Sequence, residues 1–477
     1  MTVLVGVDQG TTGTRAVAFD LGLRQLAESY HAAEVSHPRP GWIEKDAART
    51  VESVRRALAD LSTELDGEVA AVGLDNEGET VVAWDAETLE PLAPAVVWGS
   101  RASQPIVDRL ATQGRGERIE QLSGLPLDPY FSATKMRWLV EQDEAVAAAA
   151  RAGTLRMGTF DAYITARLGG GARTEPSTAG RTQLQALRAP GAWDPGLLRL
   201  HGVDAAWLPK IGPSVGALGT IGGLPLRALL VDQTASLAGH GCFTAGEAKA
   251  TYGTGIFLLQ QAGGAAPSEP AGLIPIVAWE LGDRVSFALD GGVFSAGTVV
   301  TWLREGLGAL GDAAESEALA RSVPDTGGVR FLPALAGMGA PWWLADARAV
   351  IAGITAGTTR AHIVRAALDA LCFRVRDIVD RLPSRPPLLR VDGGLTANGY
   401  LVQRQADVLG LPVVVADVAE TTALGAAAMA GIGAGLLTEA DIVAAVAGGR
   451  RVEPRDPGAA DADYQEWRRF AEQAARL

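Results

Sequence analysis

The chain has 477 residues, 48% of them hydrophobic and 20% charged, with a formal net charge of −13. That balance excludes a disordered or fibrous chain, and the surplus of acid argues against nucleic acid or an anionic membrane as partner, since both are bound through excess Lys and Arg. Two cysteines, Cys242 and Cys372, cannot build a disulfide framework, and the length calls for two domains with a cleft between them.

The first residues carry neither the basic flank nor the small-residue cleavage site of a secretory signal, so a cytoplasmic protein is expected. Residues 3–8 and 16–20 read as strands around a Gly/Thr turn over residues 9–14. Asp46 stands where an N-cap belongs, ahead of an amphipathic helix to about Leu65. A strand over residues 69–74 follows and ends in Asp75-Asn76-Glu77. Strands and helices keep alternating, which predicts an α/β fold.

Residues 249–261 repeat the opening theme of strand, Gly-Thr-Gly turn and strand, so the architecture is expected to be duplicated, with domains over residues 1–242 and 243–477. In the second half an amphipathic helix is predicted over residues 360–382, stopped by Pro383. A strand over residues 388–391, the loop Asp392-Gly393-Gly394, a helix over 398–409 and a strand at Val413–Val415 complete this reading. The uncharged run 423–437 is too short and too rich in Ala and Gly to span a bilayer, and reads as a buried, tightly packed helix.

Asp8-Gln9-Gly10-Thr11-Thr12-Gly13-Thr14-Arg15 places an acid at the end of a buried strand and then small residues that let backbone N–H groups approach a phosphate. The acid is suited to hold Mg²⁺ through water, and a plain solvated turn fits the segment equally well. Thr251-Tyr252-Gly253-Thr254-Gly255 repeats the device, and two such turns are suited to grip a polyphosphate from both sides. Gly393-Gly394, between a strand and the helix bearing Asn398, suits backbone approach to an adenosine.

These three loops, in this order, resemble those of the FGGY family of carbohydrate kinases over essentially the whole chain. Residues 130–139 and the stretch from Gly353 to Asp369 resemble its signature segments, and the glycerol kinases are the most similar branch. The resemblance implies a duplicated actin-like, ribonuclease H-like ATPase fold and an ATP- and Mg²⁺-dependent kinase acting on a polyol or sugar, with glycerol, giving glycerol 3-phosphate, as the leading acceptor. It implies that Asp232 is the catalytic base, that Asp8 and Asp232 serve the metal, and that Glu79, Tyr130, Asp232, Gln233, Trp98 and Phe257 form the acceptor pocket. Gly10, Thr11, Thr12, Gly13, Thr14, Arg15, Gly253, Thr254, Gly255, Gly297, Gly393, Gly394 and Asn398 then match nucleotide-contacting positions. A homodimer or homotetramer is left open.

The chain departs from the glycerol kinase pattern twice. Gly78 stands where an arginine would donate to two substrate hydroxyls, which removes contacts and is expected to open space for a longer polyol or a ketose of the erythritol, xylitol, ribulose or xylulose type, unless Arg101 or another side chain fills it. The loop Gly219 to Leu226 is short, so inhibition by fructose 1,6-bisphosphate is not expected. The rival from another class is a non-catalytic actin-like ATP-binding regulator.

Overall fold

The computed structural model describes residues 1–476. Apolar β-formers in the opening segment make Thr2–Gln9 a central strand. It pairs antiparallel with Gly13–Phe19, which pairs with Gln25–Ala32, and on its other side it runs parallel to Glu68–Asn76. Leu224–Val231 is parallel to Glu68–Asn76, and Val215–Ile221 closes the edge of this six-stranded sheet. The second sheet repeats the plan: Ala248–Tyr252, Ile256–Gly263 and Arg284–Val293 form the meander, and Leu389–Asp392 and Val413–Val415 extend it in parallel. The duplication read from the two Gly/Thr hairpins is thus present in the topology.

Several local expectations hold to within a turn. Asp46 caps the helix Ala47–Thr63, its side chain accepting from the Arg49 N–H. The helix Arg360–Val379 ends three residues short of the predicted Leu382, because residues 380–382 turn before Pro383. The strand over 69–74 continues to Asn76, which draws Asp75 into the sheet instead of leaving it in a loop. The segment Gly219 to Leu226 is a hairpin, with Gly222 and Gly223 joining two antiparallel strands.

The uncharged run forms the buried helix Thr421–Gly433, and it lies against the first sheet although it follows the second in sequence. Small residues make this approach feasible. A Cβ on Gly6 would sit 1.8 Å from the Ala423 carbonyl oxygen, one on Gly73 2.0 Å from that of Ala426, and one on Gly425 1.8 Å from that of Ala235. Backbone therefore meets backbone along this seam, and no side chain fits between. The two halves are locked at their base while their loops face each other across the cleft. Among the described residues no helix is long and apolar enough to cross a membrane.

Candidate active site

The cleft floor is formed by the carboxyl ends of three neighbouring strands, which gather side chains far apart in sequence. In register Asp8 lies opposite Asp75, and Asp75 opposite Leu230, so Asp232 follows just past the third strand end. Asp75 is fully buried and takes no hydrogen bond from a donor on another residue; its partner is the Asp8 carboxylate. Two carboxyl groups in hydrogen-bond contact share a proton, and burial together with the charges of Asp8 and Asp232 drives Asp75 far enough up to hold it. Burial pushes Asp8 up to about 6, with the hydrogen bond from Asp75 opposing.

Asp232 opens the helix Asp232–Gly239, whose N-cap is Val231. Its carboxylate is therefore not spent as a helix cap. Oδ1 accepts from the neighbouring Gln233 N–H at 2.6 Å, and Gln233 Nε2 approaches Oδ2 at 3.5 Å. Burial, and then the Asp8 charge, raise its pKa to about 6, with Lys249 among the groups opposing the rise. Lys249 lies fully buried in the strand Ala248–Tyr252; its Nζ donates to Gln233 Oε1 at 2.8 Å and to Thr251 Oγ1 at 3.0 Å. A carboxylate held ready to accept a proton near neutral pH has the properties of a general base.

The residues expected to form the acceptor pocket lie close to Asp232, whose charge acts on both Glu79 and Tyr130. Glu79 is buried and ion-paired with the Nε of Arg181, and the Arg181 guanidinium sits over the Tyr130 ring at 5.5 Å. Tyr130 packs edge-on against Trp98, ring centroids 5.5 Å apart, and both rings are half-buried. Trp98 Nε1 donates to Thr11 Oγ1 at 2.9 Å, tying this wall to the first Gly/Thr hairpin. Fully buried Lys135 donates to the carbonyls of Tyr130 and Phe131, so the turn carrying Tyr130 is fixed from below. Phe257 stands apart: it packs on Gly255 and Gly292 of the second sheet and makes no ring pair with Trp98 or Tyr130 among the described residues.

The expected space at Gly78 is absent. A Cβ there would lie 2.4 Å from Val231 Cγ2, so that methyl already takes its place, with Arg181 Cγ in ordinary contact at 3.5 Å. Arg101 does not reach it; that side chain is exposed and donates to Gln104 at 2.7 Å.

Both Gly/Thr hairpins close through their own backbone, Gly10 N–H to the Gly13 carbonyl at 2.9 Å and Gly253 N–H to the Gly255 carbonyl at 2.9 Å. Thr12 uses its carbonyl to hold Ala33 and Tyr30, while Thr14 is fully buried and hydrogen-bonded to Ser53, so its hydroxyl faces the core. Arg15 is ion-paired with Glu28 and Glu420. Gly297 packs on the second hairpin, its N–H donating to the Gly253 carbonyl at 3.0 Å, and the Ala296 N–H reaches Thr254. Gly393, with φ +91°, brings the third loop so close that a Cβ would lie 2.5 Å from the Tyr252 carbonyl oxygen. Gly394 beside it is exposed, with nothing within 4 Å of a Cβ. Asn398 caps the helix Gly399–Leu409 through Oδ1 and donates to Ser316 through Nδ2, so its side chain is committed to the protein.

Sequence reasoning missed four residues of this site: Asp75, Arg181, Lys249 and Asp290, whose Oδ2 accepts from Arg181 Nη1 at 3.0 Å. Lys249 left a usable signal as a lone charge inside an apolar strand. Arg181 left none, because it follows the five-residue helix Pro176–Gly180 with no periodicity of its own.

Residues 3–230 match the FGGY family of carbohydrate kinases, N-terminal domain, and residues 248–434 match its C-terminal domain. A glycerol kinase of Symbiobacterium thermophilum is 40% identical over 99% of this chain and 98% of its own, and one of Alkalilimnicola ehrlichii is 42% identical over 91% of each. Among solved structures, Plasmodium falciparum glycerol kinase with ADP superposes with a TM-score of 0.92 at 28% identity, covering 99% of this chain and 98% of that one. A ligand-bound xylulose kinase from Lactobacillus acidophilus, at 22% identity and a TM-score of 0.90 over 99% and 97% of the two chains, shares the fold. Paired Gly/Thr hairpins, a buried carboxylate raised toward neutrality and matches to both domains agree: the chain belongs to the FGGY family of carbohydrate kinases and is an ATP-dependent phosphotransferase with an alcohol group as acceptor.

Proposed function

We propose that the chain phosphorylates glycerol with ATP, giving glycerol 3-phosphate. The observation that carries the choice of acceptor is at Gly78, where Val231 Cγ2 already takes the place of a Cβ beside Glu79 and the Arg181, Tyr130 and Trp98 cluster. The full-length likeness to glycerol kinases supports the same reading. A longer polyol or ketose loses the space that would have favoured it.

In this reading residues 1–242 hold the acceptor and residues 243–477 the nucleotide. ATP lies between the hairpins at Gly10 to Thr14 and Gly253 to Gly255, its adenosine against Gly393 and Gly394. Asp8 and Asp232 fit a hydrated Mg²⁺, because two desolvated carboxylates that repel each other gain from a cation placed between them. The ion would supply charge neutralisation on the phosphates. Asp232 takes the proton of the attacking hydroxyl, Glu79 and Tyr130 orient the acceptor through its hydroxyls, and Trp98 covers its carbon face. Closure of the cleft excludes water that would otherwise consume ATP. The enzyme is cytoplasmic in this account, with Cys242 and Cys372 as buried free thiols.

A coupled ADP-release screen of glycerol, erythritol, pentitols and pentuloses tests the proposal. Glycerol is expected to give the highest kcat/KM, and a clear preference for a five-carbon acceptor would overturn it.

A further inference from the structure

Arg181 is the one guanidinium in contact with the acceptor wall, and its environment is unusual. It is 6% exposed, paired through Nε with Glu79 and through Nη1 with Asp290 at 3.0 Å, and it lies 5.5 Å and 5.6 Å from the ring centres of Tyr130 and Phe131. Burial opposes its charge, but Glu79, Tyr130 and Asp290 hold it protonated. Two carboxylates and two aromatic faces fix the plane of the fork. Nη2 donates to no acceptor among the described residues and is not sealed in the core. Nη2 is therefore the one nitrogen of this fork left open to a hydrogen-bond acceptor from outside the protein.

The neighbourhood of Gly78 accounts for how this side chain came to occupy the pocket. With no Cβ at position 78, Val231 Cγ2 takes the vacated place, the Arg181 stem lies in ordinary contact beside it, and the Arg181 head pairs with Glu79 next to the Tyr130 ring. We infer that Arg181, through Nη2, donates hydrogen bonds to an acceptor hydroxyl and so performs the recognition that position 78 does not. Its pairing with Asp290 of the strand Arg284–Val293 makes the same side chain a bridge across the cleft, so acceptor recognition and the closed arrangement depend on one group. This inference rests on a polyol occupying the pocket of the proposed function.

The test is Arg181→Lys, which keeps a charge between Glu79 and Asp290 but loses the rigid fork. Wild type is first assayed on the acceptor panel; for glycerol the comparison then uses 1,2-propanediol and 1,3-propanediol, each lacking one hydroxyl. The acceptor KM of the variant is expected to rise about 10- to 100-fold, with the ATP KM unchanged. That penalty should disappear on the analogue lacking the hydroxyl that Arg181 binds, a pattern that a merely structural role would not produce. An equal penalty on every acceptor, or none on glycerol, overturns the inference. If wild type prefers a longer polyol, the choice of glycerol falls, and the same comparison with that polyol and its deoxy analogues still decides on Arg181. Should the variant not fold, a crystal structure of wild type with its acceptor serves: Nη2 roughly 3 Å from a hydroxyl oxygen is expected, and a separation beyond about 4 Å is contrary.

Discussion

Nη1 of Arg181 lies 3.0 Å from Oδ2 of Asp290, so a residue of the first half and a residue of the second half meet inside the cleft, next to the acceptor wall. Other polar contacts also join the halves here: Lys249 Nζ donates to Gln233 Oε1 at 2.8 Å beside Asp232, and His240 and Asp392 lie 3.4 Å apart.

Asp290→Asn is predicted to loosen this bridge without removing Arg181. Glu79 still holds the guanidinium, so the expected loss of stability is about 2 kcal/mol, in the range for a hydrogen bond to a charged group. The acceptor KM should rise several-fold while the ATP KM stays put. Steady-state kinetics in both substrates, with urea unfolding alongside, check this. A change confined to the ATP KM would contradict the placement of Asp290.

The pH dependence follows from Asp232. A base must be deprotonated to act, and burial with the nearby Asp8 raises this carboxylate to about 6. We therefore predict a plateau in kcat/KM above neutrality and an acid limb centred near pH 6, falling about tenfold per unit below it. A limb near the ordinary carboxylate value of 3.8 would show that the base is another group or is not desolvated.

Asp75 supplies a prediction about stability. Its folded pKa is raised above the ordinary 3.8, so the native protein holds a proton that the unfolded chain releases as the pH passes that value. The corresponding stability is complete below pH 3.8 and is lost as the pH rises through the folded value. Asp75→Asn removes the titration, and at pH 8 in the absence of metal it should be more stable than wild type by roughly 1–3 kcal/mol. The gap should close as the pH is lowered toward 4. Thermal melts across that range decide it, and a variant less stable than wild type at pH 8 would refute the buried proton.

Two glycines of similar appearance are predicted to behave in opposite ways. Gly425→Ala would drive a methyl to 1.8 Å from the Ala235 carbonyl oxygen, backbone against backbone, and should abolish soluble folded protein. Gly394→Ala meets nothing within 4 Å and should leave stability within about 0.5 kcal/mol, yet raise the ATP KM several-fold where the adenosine approaches. Melting temperature and ATP kinetics of the two variants separate packing from binding.

The tight hairpin at Gly222 and Gly223 carries the remaining prediction: fructose 1,6-bisphosphate at millimolar concentration does not inhibit turnover. Dose-dependent inhibition that disappears when this hairpin is altered would contradict it.

What the sequence reveals of this protein is mostly what its backbone needs locally. Asp8 with its Gly/Thr turn, the second hairpin at Gly253 and the N-cap at Asp46 are legible because turn and cap chemistry demands particular residues at particular places. Glu79, Tyr130 and Asp232 stood out only through the family resemblance. Arg181 and Asp290 were not, since their roles arise only when two sheets face each other across a cleft. Gly78 misled for the same reason: absence of a side chain reads as space, whereas Val231, from elsewhere in the chain, already occupies the place of a Cβ. The helix Thr421–Gly433 was legible as buried, but its seat on the first sheet is a fact of tertiary packing.

The most direct test of the central claim is single-turnover transfer from ATP labelled in the γ-phosphoryl group to glycerol, comparing wild type with Asp232→Asn. Wild type should convert the label to glycerol 3-phosphate. Asp232→Asn should melt at nearly the same temperature and bind ATP, yet transfer at least about 10²- to 10⁴-fold more slowly, the usual contribution of a positioned base. Transfer by Asp232→Asn at close to the wild-type rate, or release of ADP by wild type with no phosphorylated glycerol, would contradict the account.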